Sequence, residues 1–207
     1  FEKSVAMFVF DFGQADDGRD IAHEIKSRMA PSLAIALPVF ILGIWVYITL
    51  ALMKVFFRMT YIDFWGVVLC VALMSISSLF YIIGGQFLIS KIWHLVPISG
   101  YGAGLDVGKF LLLPVVIGVI SSIGANTRWY RTIFLEEMNK EYVRTARAKG
   151  LPESTVLFKH VLKNALIPIL TGAVVTIPLL FLGSLIAESF FGIPGLGSYT
   201  IEAINAQ

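Results

Sequence analysis

The chain has 207 residues, 57% of them hydrophobic and 14% charged, with a formal net charge of +2, whereas a soluble domain carries roughly 25% charged residues. So few charges cannot cover a surface in water, and a mean hydropathy of +0.81 excludes an ordinary soluble domain. The apolar residues fall into four uncharged runs, residues 30–53, 64–90, 110–127 and 164–187, and a bilayer core needs about 20 apolar residues per helix, so the sequence predicts an integral membrane protein with four spans.

In chain order, residues 11–20 are acidic and rich in turn formers. From Asp20 the spacing Ile21, Ile25, Met29 predicts a short amphipathic helix at the outer surface, leading into the first span. Pro38 should kink that span, and Lys54 and Arg58 close it. The second run contains the single cysteine, Cys70, so no intrachain disulfide and no cysteine metal site is expected. It ends loosely around Gly84 and Gly85, and residues 90–109, with their glycines and Pro97, predict an irregular loop. The chain begins at Phe1 rather than Met, which is read as missing upstream sequence.

Charge sets the orientation. Residues 1–29, 91–109 and 188–207 carry six Lys/Arg and nine Asp/Glu; residues 54–63 and 128–163 carry ten Lys/Arg and five Asp/Glu. Lys/Arg near span ends stay on the cytoplasmic side, so the second group is expected inside and the first outside. Trp65, Trp93, Trp129 and Tyr130 stand at or near span ends, where the headgroup zone favours such rings. Trp45 does not, and is expected to pack between helices or face lipid.

The inner loop 128–163 is longer than a turn between two helices needs, and long loops are usually functional. Asn139 can cap a helix that has Glu141 in its first turn, Arg147 and Lys149 in its last, and Gly150 at the left-handed position beyond its end. Pro152 fits the first position of a second helix, to about Asn164. The pair forms a helix-turn-helix elbow, and Thr145, Ala146 and Ala148 give its first helix small side chains. With Tyr142 and Lys149, Thr145 and Ala146 share one face that another protein could approach closely. The plainer alternative is that alanine only favours helix and the loop only solvates the span ends.

The run Glu-Tyr-Val-Arg-Thr-Ala-Arg-Ala-Lys-Gly at residues 141–150, with His-Val-Leu-Lys-Asn-Ala-Leu-Ile-Pro at 160–168, closely resembles the cytoplasmic "EAA" signature of permease subunits of binding-protein-dependent ABC importers. It is similar to the branch that carries dipeptides, oligopeptides and nickel. Further matches are Asp11, Phe12 and Gly13; Arg28 with Ser32 and Leu33; Val-Pro-Ile-Ser-Gly at 96–100; and Phe190 through Pro194, Gly195 and Gly197. The sequence departs from the pattern in two places: residues 75–78 read Ser-Ile-Ser-Ser without the usual proline, and residues 54–63 lack the usual glycine and alanine run.

Three rival chemistries are weaker. The segment 102–109 loosely follows a phosphate-binding loop, but its glycine spacing is one residue too long and Phe110 replaces the Ser/Thr that would hold Mg²⁺. His23, His94 and His160 are scattered without metal-ligand spacing. No Asp, Glu, Lys or Arg lies inside any run, which argues against a proton-coupled carrier or a charged ion filter. Residues 192–197 read either as an ordinary glycine-rich turn or, as the resemblance implies, as a re-entrant outer loop near a gate.

The expectation is therefore an all-α membrane protein with the MetI-like ABC importer transmembrane domain, four spans visible where the resemblance implies six. Residues 1–29 form an external segment. The transmembrane domain, 30–207, has spans at about 30–53, 64–89, 108–127 and 165–187, a coupling loop at 128–163 and a re-entrant loop at 188–207. The resemblance implies an ATPase-coupling site of Glu141, Tyr142, Arg144, Thr145, Ala146, Arg147, Ala148, Lys149, Gly150, Leu151 and Pro152. It also implies an outer gate of Glu188, Phe190, Pro194, Gly195 and Gly197. Its partners would be a second permease, either a paralogue or a copy, two cytoplasmic ATPases that bind ATP-Mg, an extracytoplasmic solute-binding protein and the lipid bilayer. No nucleic acid, no cofactor in this chain, no metal and no catalytic residue is expected. A membrane channel or scaffold whose elbow docks a non-ATPase partner is the alternative.

Overall fold

A computed structural model describes residues 18, 20–94, 96–97, 99–100 and 107–205. Asp11, Phe12, Gly13, Ile98 and most of the 102–109 segment, all singled out above, lie outside the described residues. Within them the chain is helical, with no strand.

α1, Ile21–Phe56, is one 36-residue helix, about 54 Å long at 1.5 Å per residue. The amphipathic stripe and the first apolar run are thus one rod, with Pro31 and Pro38 inside it, and not a surface helix followed by a span. Asp20 starts the rod, its carboxylate accepting from the Ala22 N–H at 2.9 Å, as an N-cap aspartate does. Trp45 is exposed on its apolar flank.

The second run reads as a single span over 64–89, but the structure divides it into α2, Tyr61–Ser75, and α3, Ser78–Ile92, which meet at 89°. The bend needs no proline. Ile76 and Ser77 are extended, and the carbonyls freed at the end of α2 are partly recovered by side chains, since the Tyr81 hydroxyl donates to Leu73 O at 2.8 Å. The last seven residues of α3, Gln86–Ile92, widen into a π-helix. At its other end α2 is tied to the long helix α4 by a two-pronged ion pair, Arg131 Nε and Nη2 to Asp63 at 3.1 and 2.6 Å.

α4, Val107–Met138, continues the third run well past its apolar part. It packs along α1 and α2 through glycines, as membrane helices commonly do. A Cβ on Gly118 would stand 2.9 Å from Val39 Cγ2, and one on Gly124 only 2.5 Å from the Cys70 carbonyl oxygen.

Beyond α4 the chain forms α5, Glu141–Ala148, and α6, Glu153–Leu180. Two capping expectations change here. Lys140, not Asn139, precedes the first helical residue, and no side chain caps it; Pro152 stands just outside α6, extended, instead of at its first position. The second elbow helix and the fourth span are one helix, relieved by a π turn over Val156–Val161. The fourth apolar run does not continue straight to residue 187. α6 stops at Leu180, Gly183 turns with φ +70°, and Ser184 opens α7, Leu185–Phe191, by accepting from the Ala187 N–H. α8, Leu196–Asn205, follows, so most of the segment read as a re-entrant loop is helical.

Two buried clusters organise the bundle. One unites α1, α4, α5 and α6 at the elbow end, around Tyr47, Phe134, Val143 and Val161; the other unites α1, α3, α4 and α7 at the far end, around Ile35, Leu113 and Phe191. α1, α4 and α6 are each long and apolar enough to cross a membrane, and α2 with α3 makes a fourth crossing if the bent pair counts as one. Exposed Trp65, Phe80, Leu170 and Val174 make a surface suited to hydrocarbon rather than water.

Candidate functional site

The elbow sits on the bundle as a fixed bracket. Val143 and Ala146, 0% and 5% exposed, turn into the cluster beneath. The Tyr142 hydroxyl donates to Glu137 Oε2 at 2.7 Å, and burial, reinforced by that carboxylate, pushes its phenol up to about 12. Around the turn, Arg147 grips Glu153 with two bonds of 3.1 and 2.6 Å, and Arg58 stands 3.7 Å from the same carboxylate. The Arg147 hydrogen bond holds the Glu153 carboxyl below its ordinary range.

The side chains facing outward are Glu141, Arg144, Thr145, Ala148 and Lys149, with Gly150, Leu151 and Pro152 also exposed. The face proposed from spacing, Tyr142, Thr145, Ala146 and Lys149, therefore has to be corrected. Ala146 points into the chain's own core, and its small size lets α5 lie close on the helices below. The outward small residues are Thr145 and Ala148.

Gly150 has φ +75°, the left-handed position its spacing predicted, and its N–H reaches Arg147 O at 2.9 Å. A Cβ there would meet nothing within 4 Å, so the demand is on the backbone alone. Gly150→Val is expected to leave the bundle folded while shifting the turn, because a β-branched residue resists positive φ at a cost of about 1–3 kcal/mol. A cooperative transition with its midpoint lowered by several degrees, and faster proteolysis near residue 150, is the expected result; unaltered proteolysis would remove the cap argument.

Above the elbow, α1, α3, α4, α6 and α7 line a cavity of about 760 Å³, within the 300–1,000 Å³ typical of ligand sites. Its wall is mostly apolar, with Tyr47, Ser121, Ser122, Asn126, Thr171 and Thr176 as polar insets. Ser121, Thr171 and Thr176 each donate back to their own helix, to Gly118, Ile167 and Gly172 carbonyls, which leaves hydroxyl lone pairs as acceptors. These residues went unread in the sequence. The available signal was Ser122 and Asn126 one helical turn apart inside an apolar run, hence on one face.

At the far end the predicted gate residues come together around a carboxylate. Glu188, 1% exposed, accepts from Ser32 Oγ at 2.8 Å and Ser184 N at 3.1 Å on one oxygen, and from Gly197 N at 2.6 Å and Ser198 N at 3.2 Å on the other. Ser32 Oγ in turn accepts from Leu196 N at 2.8 Å. The opening N–H groups of α8 are thus met by a carboxylate and a hydroxyl, the charge arrangement a helix N-terminus favours. Gly195 and Gly197 leave no room for a Cβ: at Gly195 it would collide with the Glu188 carboxylate, and at Gly197 it would stand 2.7 Å from Leu185 N. Phe190 offers its carbonyl to Gln86 Nε2 at 3.0 Å, and Pro194 is exposed in the turn before α8. Arg28 completes the cap from α1, 2.9 Å from Glu202 and 4.8 Å from the Tyr199 ring centroid.

Among the described residues, a helical bundle with three, or up to four, helices long and apolar enough to cross a membrane, a cavity and a projecting elbow has the architecture of a multi-pass membrane protein. The family described as binding-protein-dependent transport system inner membrane component matches residues 25–207, and the chain belongs to it. The chain is 32% identical over 206 residues to a Brucella suis biovar 1 (strain 1330) protein named provisionally as a peptide transport system permease, covering 97% of this chain and 66% of that one. It is 33% identical over 157 residues to the di/tripeptide transport system permease protein DppB of Pseudomonas aeruginosa (strain UCBPP-PA14), covering 70% and 46%. To the oligopeptide transport system permease protein AppB of Bacillus subtilis (strain 168) it is 41% identical over 93 residues, covering 45% and 29%. The chain spans no more than 66% of the length of these relatives.

Proposed function

We propose that the chain forms half of the translocation path of an ATP-driven importer of peptides, or of a related solute such as nickel. It pairs with a second permease, a paralogue or a copy. Two cytoplasmic ABC ATPases that bind ATP-Mg seat on the elbow at Glu141, Tyr142 and residues 144–152, and an extracytoplasmic solute-binding protein delivers solute to the outer gate of Glu188, Phe190, Pro194, Gly195 and Gly197. The chain itself makes and breaks no covalent bonds.

The observation that carries this reading is the continuity of α6. One helix begins at Glu153 on the exposed elbow and runs to Leu180 along the cavity wall, so a displacement of the elbow is carried into that wall by the helix itself, with no loop between them. The names of the relatives supply the peptide, and the acceptor-rich cavity suits a solute that carries N–H donors.

The test is uptake into proteoliposomes holding the full-length permease with its partner permease, ATPases and solute-binding protein, against a panel of peptides, nickel and oligosaccharides. Peptide uptake that requires both ATP and the binding protein is expected; uptake indifferent to ATP would favour a channel. Orientation is checked with single cysteines in a Cys70→Ala background. Tyr199→Cys should react with an impermeant thiol reagent added outside intact cells, and Lys149→Cys should not; the reverse pattern would invert the topology.

A further inference from the structure

We propose that the indole of Trp129, seated on the bare backbone of α6 at Gly172, closes the elbow end of the cavity, and that α6 leaves this seat when the elbow moves. The second half of this statement rests on the proposed coupling to an ATPase; the first does not.

A Cβ at Gly172 would stand 2.6 Å from Trp129 Cη2, so the ring edge lies directly on the helix with no side chain between them. The ring is held from behind. Its centroid is 4.9 Å from that of Tyr130, and Tyr130 stacks on Tyr47 of α1 at 6.5 Å. Tyr130 and Tyr47 are both buried, and the Tyr47 hydroxyl donates to Val119 O at 3.1 Å. Three rings thus form a shelf fixed to the tightly packed α1 and α4. All three line the cavity, at the end nearer the elbow, while Trp129 itself is 46% exposed.

The opposing wall is built to move. Gly172 lies between Pro168 and Pro178 of α6, each of which removes one backbone hydrogen bond and crowds the preceding turn. The stretch between them is the part of α6 that bends most easily, and the glycine is where it touches the shelf. Displacement of the elbow end of α6, already relieved by the π turn over Val156–Val161, therefore concentrates at that contact.

The reporter is Ser121→Cys in a Cys70→Ala background, in the full-length complex in inside-out vesicles. Ser121 lines the cavity eight residues from Trp129 along α4, about 12 Å further in. An impermeant maleimide should label it slowly in the resting state. Trp129→Ala and, separately, Gly172→Leu, which cannot accept the ring, should each raise the rate at least tenfold, and Trp129→Phe should raise it less than Trp129→Ala. Melting midpoints identify any variant that merely unfolds, and the second site keeps the test alive if one does. Rates within twofold of the parent in both folded variants would overturn the closure. Adding ATP-Mg to the parent complex should change the rate severalfold; if the variants behave as expected and ATP-Mg does nothing, the seat stands and the coupling falls.

Discussion

Glu188→Leu is expected to be the most damaging single substitution at the far end of the bundle. The carboxylate accepts from one hydroxyl and three backbone N–H groups in a site closed to solvent. Leucine has nearly the right bulk and none of the acceptors, and each buried donor left unpaired costs about 1–3 kcal/mol. Even with relaxation, a loss of about 3 kcal/mol or more follows, and α8 should come away from α1 and α7. Glu188→Gln should be milder, because one oxygen survives while the amide nitrogen faces other donors. Ser32→Ala removes one donor to Glu188 and leaves the Leu196 N–H without its acceptor, for about 1–2 kcal/mol. Hydrogen exchange at residues 196–198 and detergent melting curves measure the series. If Glu188→Leu kept wild-type protection of the Gly197 and Ser198 amides, the carboxylate would not be what holds the cap.

The same network shows why this end of the bundle was only half legible. Glycines at 192, 195 and 197 mark an irregular backbone, and that much can be read from the sequence. Their reasons differ, however: Gly192 takes φ +63°, whereas Gly195 and Gly197 give room to a carboxylate and to the start of α7. The Ser32 to Glu188 bond joins residues 156 apart in sequence, and no local pattern announces it. Hydropathy found the long helices because the bilayer imposes it on every span. It missed the 89° bend at residues 76–77, since the pattern looked for a proline and the chain uses an extended pair braced by Tyr81. The cavity stayed hidden for a similar reason: Ser121, Asn126 and Thr171 are uncharged, so they do not interrupt runs that are delimited by charge. On the elbow, the short helix and its left-handed end at Gly150 were legible, whereas its start was not, since Lys140 stands where Asn139 was expected and Pro152 stays outside the next helix. Which alanine faces outward was not, because eight residues make only about two turns and tertiary packing decides their rotation.

Two tryptophan substitutions on that short helix are expected to separate folding from docking. Ala146 is buried in the cluster with Val143, Phe134 and Val161, so Ala146→Trp must push α5 off the bundle; overpacking of this kind typically costs about 1–3 kcal/mol, and more where the neighbours belong to rigid helices. Loss of a partner in that variant would say nothing about contact. Ala148, two residues on, is exposed, and Ala148→Trp should leave the stability within about 0.5 kcal/mol of wild type, as surface substitutions usually do. If the outward face of Arg144, Thr145 and Ala148 meets an ATPase closely, the same bulk there should strip the ATPase from the purified complex at matched expression. Lys140→Ala, at the edge of the elbow, should be nearly silent, because exposed charges contribute roughly 0–1 kcal/mol. Melting curves and co-purification on the three variants are read together. A stable Ala148→Trp that still retains the ATPase would move the docking surface off α5, and a stable Ala146→Trp would show that the bracket is looser than its buried residues imply.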